Sequence, residues 1–62
     1  MFDKIIIRAV RNAPGFKVTV WDAFGVTATG ETFIGRYHKL AAATDMLASY
    51  PQTAGTAVEV VR

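Results

Sequence analysis

The 62-residue chain has no cysteine, one histidine and two prolines, and Ser49 is its single serine. Without cysteine, disulfides and thiolate metal sites are excluded. The lone histidine, His38, has no cluster of acids around it in the sequence and is a poor metal ligand or general base. Asp22 and Glu31 could form an acid pair across strands, but turn positions explain both better. We therefore expect no cofactor, no metal and no enzymatic activity.

Long apolar runs are also missing from the sequence, and this limits the cellular locations that we expect for the protein. No run of 18 apolar residues occurs, so we expect no membrane-spanning segment. Residues 1–4, followed by three isoleucines, are too short and too acidic for a signal peptide, which predicts a cytoplasmic protein. The length predicts one domain over residues 1–62, with a radius of gyration of about 10–11 Å and no deep cleft.

Charge is sparse for a chain of this size. Charged residues make up 19% of the sequence and hydrophobic residues 52%, whereas average domains carry about 25% charged residues. A small domain without disulfides or metal often needs burial against a partner, and a weakly charged apolar surface is one that another chain can cover. We expect a homo-oligomer or a protein partner; the alternative is a monomer with scattered apolar surface residues.

The first half of the chain has the pattern of strands separated by turns. Alternation and β-branched residues predict strands over residues 4–11, 16–21 and 26–34, with turns over 12–15 and 22–25. Gly30 marks either a bulge or a further tight turn within the third strand, and these two alternatives stay open.

The second half has the pattern of a helix followed by a strand. Apolar spacing predicts a helix over residues 37–50, which Pro51 ends, and a closing strand over 56–61. The order is β-β-β-α-β. The simplest architecture is α+β, an antiparallel sheet of three to four strands covered on one face by a single helix.

The predicted sheet leaves one face uncovered, and its composition suggests what it binds. With Ile5, Ile7 and Ala9 under the helix together with Phe16, Val18 and Val20, the outer face carries Lys4, Ile6, Arg8, Lys17, Thr19 and Trp21. Basic side chains neutralise phosphates and an aromatic ring stacks on bases. The candidate partner or nucleic-acid binding residues are Lys4, Arg8, Arg11, Lys17 and Trp21. The alternative is a solvated face or a protein interface in which Trp21 packs under arginine stems.

The start of the predicted helix is a candidate anion site. A helix N-terminus has unsatisfied N–H groups and a partial positive charge, and the residues there are basic. The candidate anion-binding residues are Arg36, His38 and Lys39. The alternative is a helix that begins one turn earlier or later, with these bases in solvent.

The alanines of the helix, residues 41–43 and 48, also allow two interpretations. Small side chains permit close approach of a second helix in a dimer, but alanine is also the best helix former.

The segment from Gly15 to Asp22, with Gly25, Phe33 and the alanine-rich helix, resembles the arm-type DNA-binding domain of tyrosine recombinases. The resemblance covers residues 4 to about 50 and implies a sheet that enters the major groove, with contacts from Arg8, Lys17 and Trp21. The same layout is similar to HicB-type antitoxin folds and to the small sheet-plus-helix proteins that phages carry to block host defence.

Taken together, these observations predict a small binding protein of the phage or mobile-element kind. It would act as a protein-binding inhibitor or accessory factor that self-associates. The alternative is a module that binds nucleic acid or another phosphate-bearing ligand through the basic sheet face and the helix N-terminus.

Overall fold

A computed structural model describes residues 2–12 and 17–62. Its elements follow the predicted order, and their bounds are β1 (Lys4–Asn12), β2 (Lys17–Thr27), β3 (Gly30–Tyr37), α1 (Leu40–Ser49) and β4 (Val58–Val61). The strands form one sheet in the order β3-β2-β1-β4. This confirms the α+β class. Most of the predicted first turn, residues 13–15, lies outside the described residues, and so does Phe16.

The sheet is mixed, so the expected all-antiparallel arrangement is wrong for its last strand. β1 and β2 pair antiparallel, as do β2 and β3, whereas β4 pairs parallel to β1. The reason is the crossover through α1, which returns the chain to the end of the sheet where β3 began. β4 therefore runs in the direction of β3, and β1 shares that direction.

β2 is longer than the sequence pattern indicated. It runs through residues 22–25, so the predicted second turn is wrong, and Asp22 lies within the strand rather than in a turn. The chain turns instead between Thr27 and Gly30, where Gly30 has a φ of 139°. Gly25 serves packing and not turning, because the ring of Phe2 occupies the space that a Cβ at position 25 would need.

The core lies between α1 and one face of the sheet, and Trp21 belongs to it. The prediction that Trp21 faces outward is wrong, since its side chain is 9% exposed. Ala9 is the cross-strand partner of Trp21, so the two share a face. The pairing of β1 with β2 shifts by one residue between Val10 and Arg11. The regular inward–outward alternation predicted for residues 16–21 therefore does not hold across that point. The core cluster contains Ile5, Ile7, Trp21, Ala23, Ala43 and Leu47.

α1 begins at Leu40, about one turn later than predicted, and ends at Ser49 ahead of Pro51. Two of its residues, Ala43 and Leu47, are buried against the sheet. The buried hydroxyl of Thr53 donates a hydrogen bond to the carbonyl of Leu47, which satisfies a helix-end acceptor. The termination expected from Pro51 is confirmed.

The molecule is flat. Its radius of gyration is 11.8 Å, compared with about 10.6 Å for a compact chain of this length. Its principal dimensions are 37, 24 and 14 Å. One helix lies on one side of the sheet, and the opposite side, called here the open face, has no element of the described chain over it.

Replacing Trp21 with alanine should unfold the protein or leave it marginally stable. Loss of a buried tryptophan costs about 3–5 kcal/mol, and a domain of 62 residues has roughly 3–9 kcal/mol in total. Urea unfolding followed by circular dichroism measures the change. The control is Met46→Ala at an exposed helix position, which should change stability by about 0.5 kcal/mol or less. Equal stability of wild type and Trp21→Ala would contradict the burial of this ring.

Candidate binding surface

The open face is formed by the side chains that alternate with the core residues along each strand. Ile6 lies between Ile5 and Ile7 of β1 and so points away from α1. Cross-strand partners of the same parity extend this face over β2, β3 and β4. Its members with described contacts are Lys4, Ile6, Arg8, Asp22, Phe24, Glu31, Phe33, Arg36 and Glu59.

Arg8 forms the central contact of the open face. Its guanidinium donates two hydrogen bonds to the Glu31 carboxylate, with Nη1 2.7 Å from Oε1 and Nη2 2.9 Å from Oε2. On the way it passes over the ring of Phe24, 5.1 Å from the ring centre. Because β2 separates β1 from β3, the side chain spans about 9–10 Å of sheet. Arg8 thus combines a bidentate ion pair with a cation–π contact.

Two further ion pairs flank this contact. Arg36 donates from Nε to Oδ1 of Asp22 at 2.8 Å and from Nη2 to Oδ2 at 3.1 Å. Lys4 Nζ lies 3.6 Å from Oε1 of Glu59. Lys4 and Arg36 are thus paired with acids of a neighbouring strand, and Arg8 with an acid two strands away.

The ion pairs hold the two strand carboxylates in their charged form. The hydrogen bond from Arg36 lowers the pKa of Asp22, and the hydrogen bond from Arg8 lowers the pKa of Glu31. The two acids bind different bases and do not form the acid pair considered from the sequence. Glu31 lies in β3 rather than in a turn. Carboxylates with lowered pKa values are suited to binding cations and poorly suited to donating protons.

The apolar part of the open face runs from the sheet centre to its edge. Ile6 is 7% exposed although no helix covers it, because it lies between Phe24 on β2 and Glu59 on β4. The ring of Phe24 meets that of Phe33 edge-on, with centroids 5.7 Å apart. Phe33 is 56% exposed. Neither phenylalanine is among the binding residues predicted from the sequence, and Phe24 falls within the turn predicted over residues 22–25.

The residues predicted to bind a partner do not form one surface. Trp21 is in the core, with the guanidinium carbon of Arg62 5.9 Å from its ring centre. Lys4 and Arg8 lie on the open face as expected, in the ion pairs described above. Lys17 and Arg11 are exposed at the far ends of β2 and β1, beyond the register shift.

The predicted anion site is also divided. Arg36 belongs to β3 and binds Asp22 on the open face, whereas His38 and Lys39 are exposed in the connection to α1. Lys39 is the N-cap residue, and its carbonyl accepts the N–H of Ala43 at 3.1 Å. Arg36 is separated from the other two because β3 extends to Tyr37, which makes Arg36 part of the sheet.

A shallow groove lies beside the open face, on the helix side of β3. Its volume is about 400 Å³, and its lining residues are Phe2, Thr32, Phe33, Ile34, Tyr50, Gln52 and Thr53. Across residues 2–12 and 17–62, no group of three or more metal-ligating side chains occurs. None of the helices in that part of the chain is long and apolar enough to cross a membrane. Comparison with protein-family models, curated proteins and solved structures found no match.

The ion pairs predict how stability depends on pH. The folded-state pKa values of Asp22 and Glu31 lie below their unfolded values, so this stabilisation is complete above about pH 4–5 and is lost as the pH falls through the folded values. Melting temperatures measured by circular dichroism from about pH 7 to about pH 2 should be flat at first and then decline. Asp22→Asn and Glu31→Gln should each flatten the acid decline. A wild-type curve superimposable on that of the double variant would contradict the ion pairs.

Proposed function

We propose that this chain is a non-enzymatic binding protein, an inhibitor or accessory factor, whose open face binds the surface of another protein. The observation that carries the proposal is the Phe24–Phe33 aromatic pair, of which Phe33 is exposed, set among bases that the protein itself neutralises. The resemblance to small phage proteins that block host defence is consistent with such a role.

The chemistry of the open face favours a protein over nucleic acid. Binding to phosphates draws its free energy from cations that replace condensed counterions. Here Lys4, Arg8 and Arg36 would first have to leave Glu59, Glu31 and Asp22. Protein interfaces, by contrast, are enriched in aromatic residues and arginine at their centres and have a polar rim.

An oligonucleotide titration separates the two candidate functions. Labelled single-stranded and double-stranded oligonucleotides should show no saturable binding to the wild-type protein at about 50 mM salt, where phosphate contacts are strongest. Fluorescence anisotropy of the labelled oligonucleotides measures the binding. Tight binding that weakens steeply toward about 200 mM salt would favour the nucleic-acid alternative and contradict a neutralised face. An absorbance ratio at 260 and 280 nm typical of protein alone, measured on untagged material from the native host, is expected as well.

Site-specific photo-cross-linking tests the protein partner directly. A photoreactive residue at Val26, on the open face beside Lys4 and Glu31, should trap a defined protein in a native-host lysate. The matched control is the same residue at the exposed Ala42 of α1. The trapped protein, once purified, should bind wild type and lose at least about tenfold in affinity with Phe24→Ala. Trapping from Ala42 alone would contradict the open face as the binding surface.

A further inference from the structure

Among residues 2–12 and 17–62, β3 is an edge strand that pairs only with β2. In the order β3-β2-β1-β4 it bonds to β2 on one side, and its other side faces away from the sheet. It is eight residues long, whereas the opposite edge strand, β4, has four. Unpaired backbone groups on a long edge strand form a template for another strand.

The side chains of β3 are evenly spaced around Phe33. Glu31, Phe33 and Arg36 lie opposite Val26, Phe24 and Asp22, which are every second residue of β2. The spacing is even because a register shift between Ala23 and Phe24 absorbs one residue of β3. Phe33 therefore stands midway between an acid and a base, about 7 Å from each along the strand.

The backbone at these three positions faces the free edge. The two-residue turn between Thr27 and Gly30 makes them a hydrogen-bonded pair, and bonding to β2 alternates from there. Glu31 and Phe33 fall at the alternate positions of the regular part, with N–H and C=O directed away from β2. Asp22, the partner of Arg36, has the same parity on β2, so Arg36 continues the series.

We propose that β3 pairs antiparallel with β3 of a second copy of this chain, about a two-fold axis at Phe33. Phe33 then meets Phe33 of the partner subunit, and Glu31 lies opposite Arg36 of the partner subunit. The axis is perpendicular to the sheet, so the two sheets join into one of eight strands with both helices on the same side. This proposal rests on the proposed function, because both assume that this region of the molecule binds a protein.

Charge complementarity is the reason for choosing a second copy as the occupant. In this arrangement Arg8, Glu31 and the partner subunit's Arg36 and Asp22 form a row of alternating charge across the joined sheets. The two-fold axis generates the same row twice, once on each side of the phenylalanines. Arg36 is 60% exposed and so is accessible for a second acidic contact.

A thiol introduced at the axis tests the pairing, because the chain has no cysteine of its own. In the proposed register, position 33 faces its copy at a Cα separation of about 5.5 Å, within the range of a disulfide. Phe33→Cys should form a disulfide-linked dimer under mild oxidation at least about tenfold faster than the controls. The controls are Val58→Cys on β4 and Met46→Cys on α1, both exposed positions.

Sedimentation gives the second measurement, with circular dichroism confirming that each variant is folded. Wild type should sediment as a dimer of twice 6.7 kDa. Phe33→Lys should shift the protein to the monomer, since an edge lysine opposes strand pairing, whereas Met46→Lys should remain dimeric.

Two results would overturn the proposal: a wild-type species of 6.7 kDa at high concentration, or a dimer that cross-links through position 58 or 46 and not 33. Neither decides the proposed function, which is judged by the photo-cross-linking and oligonucleotide experiments.

Discussion

The helix is too short to cover the sheet, and the rest of the structure depends on this constraint. α1 has ten residues and is about 15 Å long. β2 has eleven residues and extends about 37 Å. The helix therefore covers part of one face, with Ala43 and Leu47 as its buried contacts. The opposite face has to be stabilised by contacts between the strands themselves.

The open face meets this requirement with contacts that cross the strands. Arg8 passes over Phe24 to Glu31 and so connects β1 to β3 across β2. Its aliphatic stem covers apolar surface while its head group is bound by a carboxylate. The same contact also determines what this face can bind. Because Glu31 binds the guanidinium of Arg8, this cation is not available to phosphates. The ring of Phe33 remains exposed.

The sequence was sufficient for the element order, for β1 and for the end of α1 at Pro51, because these depend on local patterns. It was misleading where a local signal had a tertiary cause. Gly25 looks like a turn residue, but its function is to make space for Phe2. Trp21 was placed outside because the phase of β2 changes at a register shift that a single strand does not reveal. The parallel pairing of β4 depends on the crossover, which no property of residues 58–61 specifies.

For the candidate site, too, the sequence predicts the features that depend on local pattern and not those that depend on the fold. Lys4 and Arg8 were identified correctly as outward-facing bases, but their acidic partners lie 23 or more residues away in sequence, as with Glu31. Pairing across strands can only be read once the register is known. The neutralisation of the open face, on which its proposed function depends, is thus a property of the fold rather than of composition. The formal net charge of +2 does not reveal it.

The most direct measurement is the oligonucleotide affinity of a variant in which the three acids of the open face are replaced by amides, Asp22→Asn, Glu31→Gln and Glu59→Gln. With Arg36, Arg8 and Lys4 released, the folded variant should bind oligonucleotides with the steep salt dependence of phosphate contacts, which the wild type should lack. Equal affinity of the wild type and the variant would contradict the claim that these carboxylates keep the cations of the open face from other ligands.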